Sequence, residues 1–209
     1  SFYPGKNLGA FGEAGAVVTQ DEEIARKIRT IRDHGQKKKY FHEIEGYNGR
    51  LDAIQAAVLR SKLKKLNQWN QARRNHAAHY NKLLNGVPGI TLPPEADFAE
   101  SIYHLYVILA ENRDDLQKFL EERGILTGLH YPLPLHLQKA YKHLGYKKGD
   151  FPVTENTASR LLSLPMYPEL TPDQIEYVDA SIKDFVDRII RDAFPGVGYR
   201  DENFTPSDV

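Results

Sequence analysis

The chain has 209 residues, enough for one large domain or two smaller ones with a buried core. Its 28 lysines and arginines balance 28 aspartates and glutamates, and a protein that binds nucleic acid through phosphates needs a basic surplus, so we expect no nucleic-acid partner. The sequence contains no cysteine, which excludes disulfides and thiolate metal sites, and its apolar runs are far below the roughly 18 residues of a membrane span.

The first predicted elements are a strand and a helix. Ala14–Thr19 is a short apolar, β-branched run that predicts a buried strand. Asp21 and the acids after it open a helix, and His34-Gly35 ends it. Residues 36–50 contain two glycines, three consecutive lysines and three aromatics without a period, so they predict a long loop of the kind that often carries function.

A long helix and a mixed region follow. From Leu51 an apolar stripe continues without a proline until Pro88, which predicts one connecting helix of roughly eight or nine turns. Ile102–Ala110 predicts a strand, and Arg113–Arg123 predicts a helix that Gly124 ends.

The last part of the chain predicts more strands and helices. We expect a strand at Ile125–Tyr131, a short helix to about Leu144, and helices over Thr154–Leu164 and from Thr171 to about Ile189. Thr171 precedes a proline, which is typical of a capped helix start. This mixture predicts a small α+β domain, and the polar residues after Ile190 predict a tail.

One lysine stands out for its chemistry. Lys6 lies between two glycines, in the segment Gly5–Gly9, close before the predicted strand. A lysine on such a turn can project its amine into a cleft, where partial desolvation favours the neutral, nucleophilic amine that attacks a carbonyl. The plain alternative is an ordinary solvated surface lysine.

Two segments resemble a known family. Ser1–Thr19 resembles the cofactor-lysine segment of the DegT/DnrJ-type sugar aminotransferases, and Gly46–Ala57 resembles that family's second signature. The resemblance continues to about Ile190. It implies an α/β fold, that of the fold type I aminotransferases that depend on pyridoxal 5'-phosphate (PLP).

The resemblance also implies a domain organisation. Residues 1–50 would be the C-terminal part of the large cofactor-binding domain and residues 51–85 a long connecting helix. Residues 86–190 would be the small C-terminal domain, and residues 191–209 a polar tail. In the family, the acid that holds the pyridine nitrogen and most of the central sheet precede the lysine, so we expect the N-terminal half of the enzyme to lie upstream of Ser1.

The family pattern assigns roles to three residues. Lys6 would hold PLP covalently and then move the proton between the amino donor and the cofactor. Ser1 would place its hydroxyl on the cofactor phosphate; an ordinary turn serine is the alternative. Asn48 would reach the cofactor phosphate of the neighbouring subunit, which implies a homodimer with shared active sites, unless it is simply a helix-capping or turn residue.

Other residues would contact the substrate. In relatives the region of the long loop lines the nucleotide-sugar pocket, and the small domain approaches the sugar. The candidate substrate-binding residues of this chain are His34, Tyr40, His42, Arg50, His130, Tyr131 and His136. For His130, Tyr131 and His136 the alternative is a role in packing. We expect no metal site.

The resemblance therefore implies a cytoplasmic enzyme that makes amino sugars. It would move an amino group from L-glutamate, which becomes 2-oxoglutarate, onto a nucleotide-linked keto-sugar. The residues around Lys6 favour amination at the C3 carbon of a 6-deoxy sugar. One alternative is a dehydratase of the same family, in which histidine replaces the cofactor lysine; Lys6 argues against it. The other is a non-catalytic or regulatory relative.

Overall fold

A computed structural model describes residues 1–92 and 94–194. The chain divides into two compact units, the first covering residues 1–69 and the second beginning at Asn70. The boundary between the two units, at residues 69 and 70, lies within the segment 51–85 that is predicted as a connecting helix. Within the described ranges, no helix combines the length and the apolar character that crossing a membrane requires.

The first helix forms where the sequence predicts it. Helix α1 spans Glu22–Arg32, and the Asp21 carboxylate accepts hydrogen bonds from the backbone N–H groups of Glu23 and Ile24 at 2.8 and 3.0 Å. These bonds satisfy donors that a helix start leaves without a partner. The chain leaves the helix through Gly35, whose φ of 75° favours glycine.

The predicted strand at Ala14–Thr19 is wrong for the described part of the chain. The segment has no ladder partner there, and Val17 and Val18 are 68% and 92% exposed. A strand exists only through hydrogen bonds to a neighbour, so an apolar β-branched run without a partner strand stays irregular.

The predicted loop of residues 36–50 contains a short hairpin, which corrects that prediction. Strand β1 covers Gln36–Lys38 and pairs antiparallel with β2, Phe41–His42. Tyr40 has a φ of 73° in the turn, and its N–H donates to the Gln36 side chain at 3.0 Å. The side-chain bond stabilises a tight turn that no glycine marks in the sequence.

The single connecting helix is also corrected, because the structure has two consecutive helices. Helix α2 spans Ala53–Leu63 and helix α3 spans Leu66–Leu84. At the break the Lys65 N–H donates to the Lys62 carbonyl at 2.9 Å, a three-residue spacing that tightens the chain. Neither glycine nor proline occurs there, so the sequence carries no signal for the interruption.

The second unit contains a three-stranded antiparallel sheet. Its strands are β3, Ile90–Thr91, β4, Tyr106–Ala110, and β5, Leu161–Leu164, with β4 in the middle. Helices α4, Arg113–Glu122, and α5, Pro152–Arg160, complete the part before α6.

Four predictions in this unit need correction. The strand at Ile102–Ala110 begins only at Tyr106, and Ile125–Tyr131 contributes one isolated bridge, Gly128 with Ser163. The predicted helix Thr154–Leu164 ends at Arg160, because its last four residues form β5. The short helix before Leu144 consists of two 3-10 turns, Leu135–Leu137 and Lys139–Leu144.

The last helix begins as the sequence predicts. Helix α6 spans Pro172–Ala193, and Thr171 and Gln174 form a reciprocal capping box at its start. The helix continues past Ile190, so the predicted tail of residues 191–209 starts inside it. The remainder of that tail, residues 195–209, lies outside the described residues.

The core of the second unit forms around β4. Tyr106, Ile108 and Ala110 are buried on one face, where they meet side chains of α3, α4, β5 and α6. The Tyr80 ring of α3 stacks on Tyr106 at a centroid distance of 4.8 Å. Burial raises the pKa of both tyrosine hydroxyls, and each donates a hydrogen bond, Tyr80 to the Pro165 carbonyl at 3.2 Å and Tyr106 to Asn81 at 2.6 Å.

This core predicts a graded effect of two substitutions on α6. Ile182 is 0% exposed and Ile189 is 36% exposed. Ile182→Ala should lower the free energy of unfolding by about 2–5 kcal/mol, because it leaves a cavity in a packed core. The matched control Ile189→Ala should cost clearly less in the same urea titration. Equal losses for the two variants would contradict this difference in packing.

Candidate active site

Lys6 lies on a tight turn in the first unit. Its backbone N–H donates to the Tyr3 carbonyl at 2.9 Å, and the Ala10 N–H donates to the Phe2 carbonyl at 2.8 Å. Gly9 allows the close approach inside this turn, because a Cβ there would lie 2.2 Å from the Pro4 carbonyl oxygen. The Lys6 side chain is half-buried, and hydrogen bonds between backbone groups of the turn fix the backbone that carries it.

Helix α2 contacts the end of this turn through two side chains. The Lys62 ammonium donates to the Gly9 carbonyl at 2.6 Å. The Gln55 side-chain oxygen accepts from the Phe11 N–H at 2.8 Å. Together they join the Lys6 turn to a helix more than forty residues further along the chain.

Ser1 lies near the same turn. Its hydroxyl oxygen accepts from the Tyr3 N–H at 3.3 Å, so its O–H can donate to another acceptor. Ser1 also lies in the wall of a cavity of about 740 Å³, together with residues of the segment 15–19 and of α1, among them Arg29 and Arg32.

Several predicted site residues come together at the end of α1. The His34 N–H donates to the Tyr47 carbonyl at 3.0 Å, and the His42 ring contacts the His34 carbonyl at 2.8 Å. Asn48 forms a backbone bridge with Asp33, and the Arg50 guanidinium contacts the Asp33 carboxylate at 3.4 Å. The long loop therefore folds back on the helix, which gathers His34, His42, Asn48 and Arg50.

Tyr40 lies apart from this group, at the tip of the hairpin. Its side chain is 77% exposed, and the Lys39 ammonium lies 5.1 Å from its ring centroid. The neighbouring Lys37 pairs with Glu43 at 2.6 Å. The hairpin thus presents an exposed aromatic ring and basic side chains.

His130 and Tyr131 belong to the second unit and follow the Gly128 bridge. The backbone of Gly128 pairs with Ser163 through bonds of 3.0 and 2.8 Å, and the His130 Nδ1 contacts the Ser163 hydroxyl at 2.8 Å. A Cβ at position 128 would lie 2.5 Å from His130 Cε1, so the ring packs directly on the glycine. The sheet therefore orients the His130 ring, while Tyr131 is exposed.

His136 has a different environment from the one its assignment implies. Its side chain is only 8% exposed, and its Nε2 donates to the Glu155 carboxylate at 3.0 Å. Burial opposes the ionisation of Glu155, but hydrogen bonds from Gly149, His136 and Phe151 outweigh it, so the pKa of this carboxyl is lower than its usual value. A substrate can reach little of this ring, and the contact holds the loop before α5.

The structure also reveals contact residues that sequence reasoning missed. Gln55 belongs to the second signature, but its contact with the Lys6 turn depends on tertiary structure. Lys62 is one of several lysines on its helix region, and Glu155 and Ser163 lie far in sequence from the histidines that they contact. No local pattern marks the contacts of these four residues.

Comparison with known proteins identifies the family of the chain. The model of the DegT/DnrJ/EryC1/StrS aminotransferase family matches residues 1–183. The chain belongs to this family. Aminotransferases of the family depend on PLP, and the mixed helix and sheet structure agrees with the C-terminal portion of fold type I, which confirms the predicted fold class.

Individual relatives are similar over most of this chain. It is 51% identical over 183 residues to the erythromycin biosynthesis sensory transduction protein EryC1 of Saccharopolyspora erythraea, covering 88% of this chain and 50% of that protein. It is 45% identical over 190 residues to the dTDP-3-amino-3,4,6-trideoxy-alpha-D-glucose transaminase of Streptomyces venezuelae, covering 90% and 50%. The chain thus spans about half the length of the curated relatives it matches.

A solved structure supports the same assignment. The crystal structure of S. venezuelae DesV in complex with a ketimine intermediate superposes with a TM-score of 0.86 at 45% identity, covering 90% of this chain and 50% of that one. At this similarity the fold of the described residues is the family fold.

The Glu155 contact predicts a dependence of stability on pH. Because the folded-state pKa of Glu155 is below the ordinary 4.5, its carboxylate stabilises the fold above that pH, and this contribution is lost as the pH falls from 4.5 towards the folded-state value. Glu155→Gln should therefore lower the thermal midpoint near neutral pH, and its difference from the wild type should shrink in acid. The measurement is circular dichroism melting between about pH 7 and about pH 3.

Glu122→Gln, at an exposed position on α4, is the matched control for this experiment. It should show a small difference from the wild type across the range. The prediction fails if the two variants have the same pH dependence.

Proposed function

We propose that this chain is the part of a PLP-dependent aminotransferase that carries the cofactor lysine, and that the enzyme transfers an amino group from L-glutamate to a nucleotide-linked keto-sugar. The observation that carries the proposal is Lys6, half-buried on a hydrogen-bonded turn in a chain of the DegT family. A histidine at this position would instead favour the dehydratase alternative.

The residues on the turn suit the cofactor. Lys6 offers an amine for the aldehyde group, and the Ser1 hydroxyl, which already accepts from Tyr3, has its own hydrogen available for a phosphate oxygen. When bound, PLP withdraws electrons and so stabilises negative charge on the Cα of the amino donor. Among the residues of this chain, we assign Lys6 to covalent attachment and Ser1 to the phosphate.

Lys6 also suits a second task. When the amino donor takes its place on the cofactor, the Lys6 amine becomes free. It can then take the proton from the donor's Cα and deliver it to the C4′ atom of the cofactor. The same side chain therefore serves as nucleophile and as general base, which requires that its Nζ be held accurately.

Support for the substrate comes from the relatives. The S. venezuelae relative is named for a dTDP-linked 3-amino sugar, which agrees with amination at C3. In this chain, Tyr40, His34, His42 and Arg50 are the candidates for binding the nucleotide-sugar, and the basic hairpin residues carry charge of the sign that a diphosphate needs. His130 and Tyr131 remain predicted substrate contacts of the second unit, whereas the burial of His136 and its bond to Glu155 favour the alternative role of a packing residue.

A second candidate function has one observation in its favour. The relative that is 51% identical is named a sensory transduction protein, which agrees with a regulatory role for the cofactor fold. A regulatory protein would not need transamination, whereas the enzyme requires it, so activity distinguishes the two candidates.

The first prediction of this proposal concerns Lys6. Reduction of the PLP-loaded protein that contains this chain with borohydride should trap the cofactor on Lys6, and mass spectrometry of the peptide should detect it. Lys6→Ala should lose both the label and transamination with L-glutamate, because we assign the reacting amine to Lys6. Lys27→Ala, on the exposed surface of α1, is the control and should retain both. Transamination by Lys6→Ala at the wild-type rate would overturn the assignment.

The second prediction concerns Asn48, which we propose completes the active site of the partner subunit in a homodimer. In a mixed dimer of a Lys6→Ala subunit with an Asn48→Ala subunit, the one intact lysine should retain cofactor normally, because Asn48 comes from the other chain. If one subunit carries both substitutions, its wild-type partner should release cofactor faster. Cofactor release rates are measured by dialysis, and the opposite pattern would show that Asn48 acts within its own subunit.

A further inference from the structure

We propose that Lys62 and Gln55 of α2 are positioning residues for Lys6, and that they hold the turn in the geometry that its chemistry requires. This inference rests on the proposed role of Lys6. The two residues are seven positions apart, which places them on the same face of the helix, two turns from each other.

The Lys62 contact is the stronger of the two. Its ammonium donates to the Gly9 carbonyl at 2.6 Å in a part-buried position, and it lies 5.5 Å from the centroid of the Phe11 ring. A charged donor forms a shorter and stronger bond than a neutral one, and the aromatic face adds attraction for the cation. The Lys62 ammonium thus contacts Gly9 and Phe11, the two neighbours of Ala10 in the chain.

Gly9 transmits this contact to the turn. Its Cα lies against the Pro4 carbonyl, so close that a Cβ would be 2.2 Å from that oxygen. A shift of Gly9 would therefore disturb its contact with Pro4. The residue before Pro4 is Tyr3, whose carbonyl accepts the hydrogen bond from the Lys6 N–H at 2.9 Å. By holding the Gly9 carbonyl, Lys62 restrains the loop from which the Lys6 side chain projects.

Gln55 restrains the chain just beyond. Its side-chain oxygen accepts from the Phe11 N–H at 2.8 Å, and its Nε2 would lie 3.2 Å from a Cβ at Gly12. The helix therefore contacts the turn at Gly9 and again at Phe11. Two contacts from one rigid helix fix the position and the direction of the exit from the turn.

The functional consequence follows from the double role of Lys6. A group that first forms a bond and then transfers a proton must stay within about half an ångström of its productive position, and a displacement of about 1 Å can cost roughly a hundredfold in rate. Substrate binding makes no such demand on Lys62. Loss of the contact should therefore reduce kcat and leave KM for the amino donor nearly unchanged.

The test compares Lys62→Met with Lys62→Arg and with the control Lys64→Met, in the PLP-loaded protein that contains this chain. Lys64 is exposed at the end of the same helix. Lys62→Met should speed amide hydrogen exchange at Lys6 and Ala10 and lower kcat by about 10- to 100-fold. Lys62→Arg, which retains a charged donor, should restore most of both, and Lys64→Met should match the wild type.

Gln55→Met provides a second variant if Lys62→Met does not fold, and it should raise exchange at Phe11 and lower kcat with little change in KM. The positioning role is overturned if the variants keep wild-type kcat, whether or not amide exchange rises, since faster exchange alone would mark a purely structural contact. Borohydride labelling separates the two ideas: wild-type protein without cofactor on Lys6 contradicts the proposed function, whereas labelled protein with unchanged variants contradicts only the positioning role.

Discussion

The second unit depends on a single constraint, the pairing of β4 on both of its edges. A central strand must satisfy its N–H and C=O groups on two sides, and β4 does so with β3 and β5. This arrangement places Tyr106, Ile108 and Ala110 in the core, where α4 and α6 cover them. The edge position of β5 then leaves Ser163 paired with Gly128, and through this pair the sheet orients His130.

The first unit is organised differently, by close approaches of irregular backbone. Gly9 lies against the Pro4 carbonyl, and Gly35 lies against the carbonyl of Ile44, where a Cβ would be 1.7 Å from the oxygen. Such contacts are possible only for glycine, and they bring residues of functional interest onto short, rigid turns. The Lys6 turn gains further restraint from α2, so a residue without regular secondary structure has a defined position.

The family assignment and the geometry support each other without being the same argument. The relatives indicate a class of chemistry, an amino-group transfer that depends on PLP. The structure shows which contacts hold the Lys6 turn: three hydrogen bonds that backbone carbonyls accept, and a fourth that the Phe11 N–H donates to the Gln55 side chain. For His136 the family resemblance and the geometry indicate different roles. The resemblance predicts contact with a substrate, whereas its burial and its bond to Glu155 favour support of the loop before α5.

The sequence by itself determined features that depend on near neighbours. The caps at Asp21 and Thr171 are examples, since a capping side chain bonds to backbone two or three residues away. The segment around Lys6 is also a local pattern, because its residues are consecutive in the sequence. Only the tertiary structure decided which apolar runs became strands: Leu161–Leu164 pairs with β4 and Ala14–Thr19 has no ladder partner in the described residues, although both are apolar. Strand pairing and the contact of Lys62 with Gly9 join residues far apart in sequence, so no local pattern encodes them.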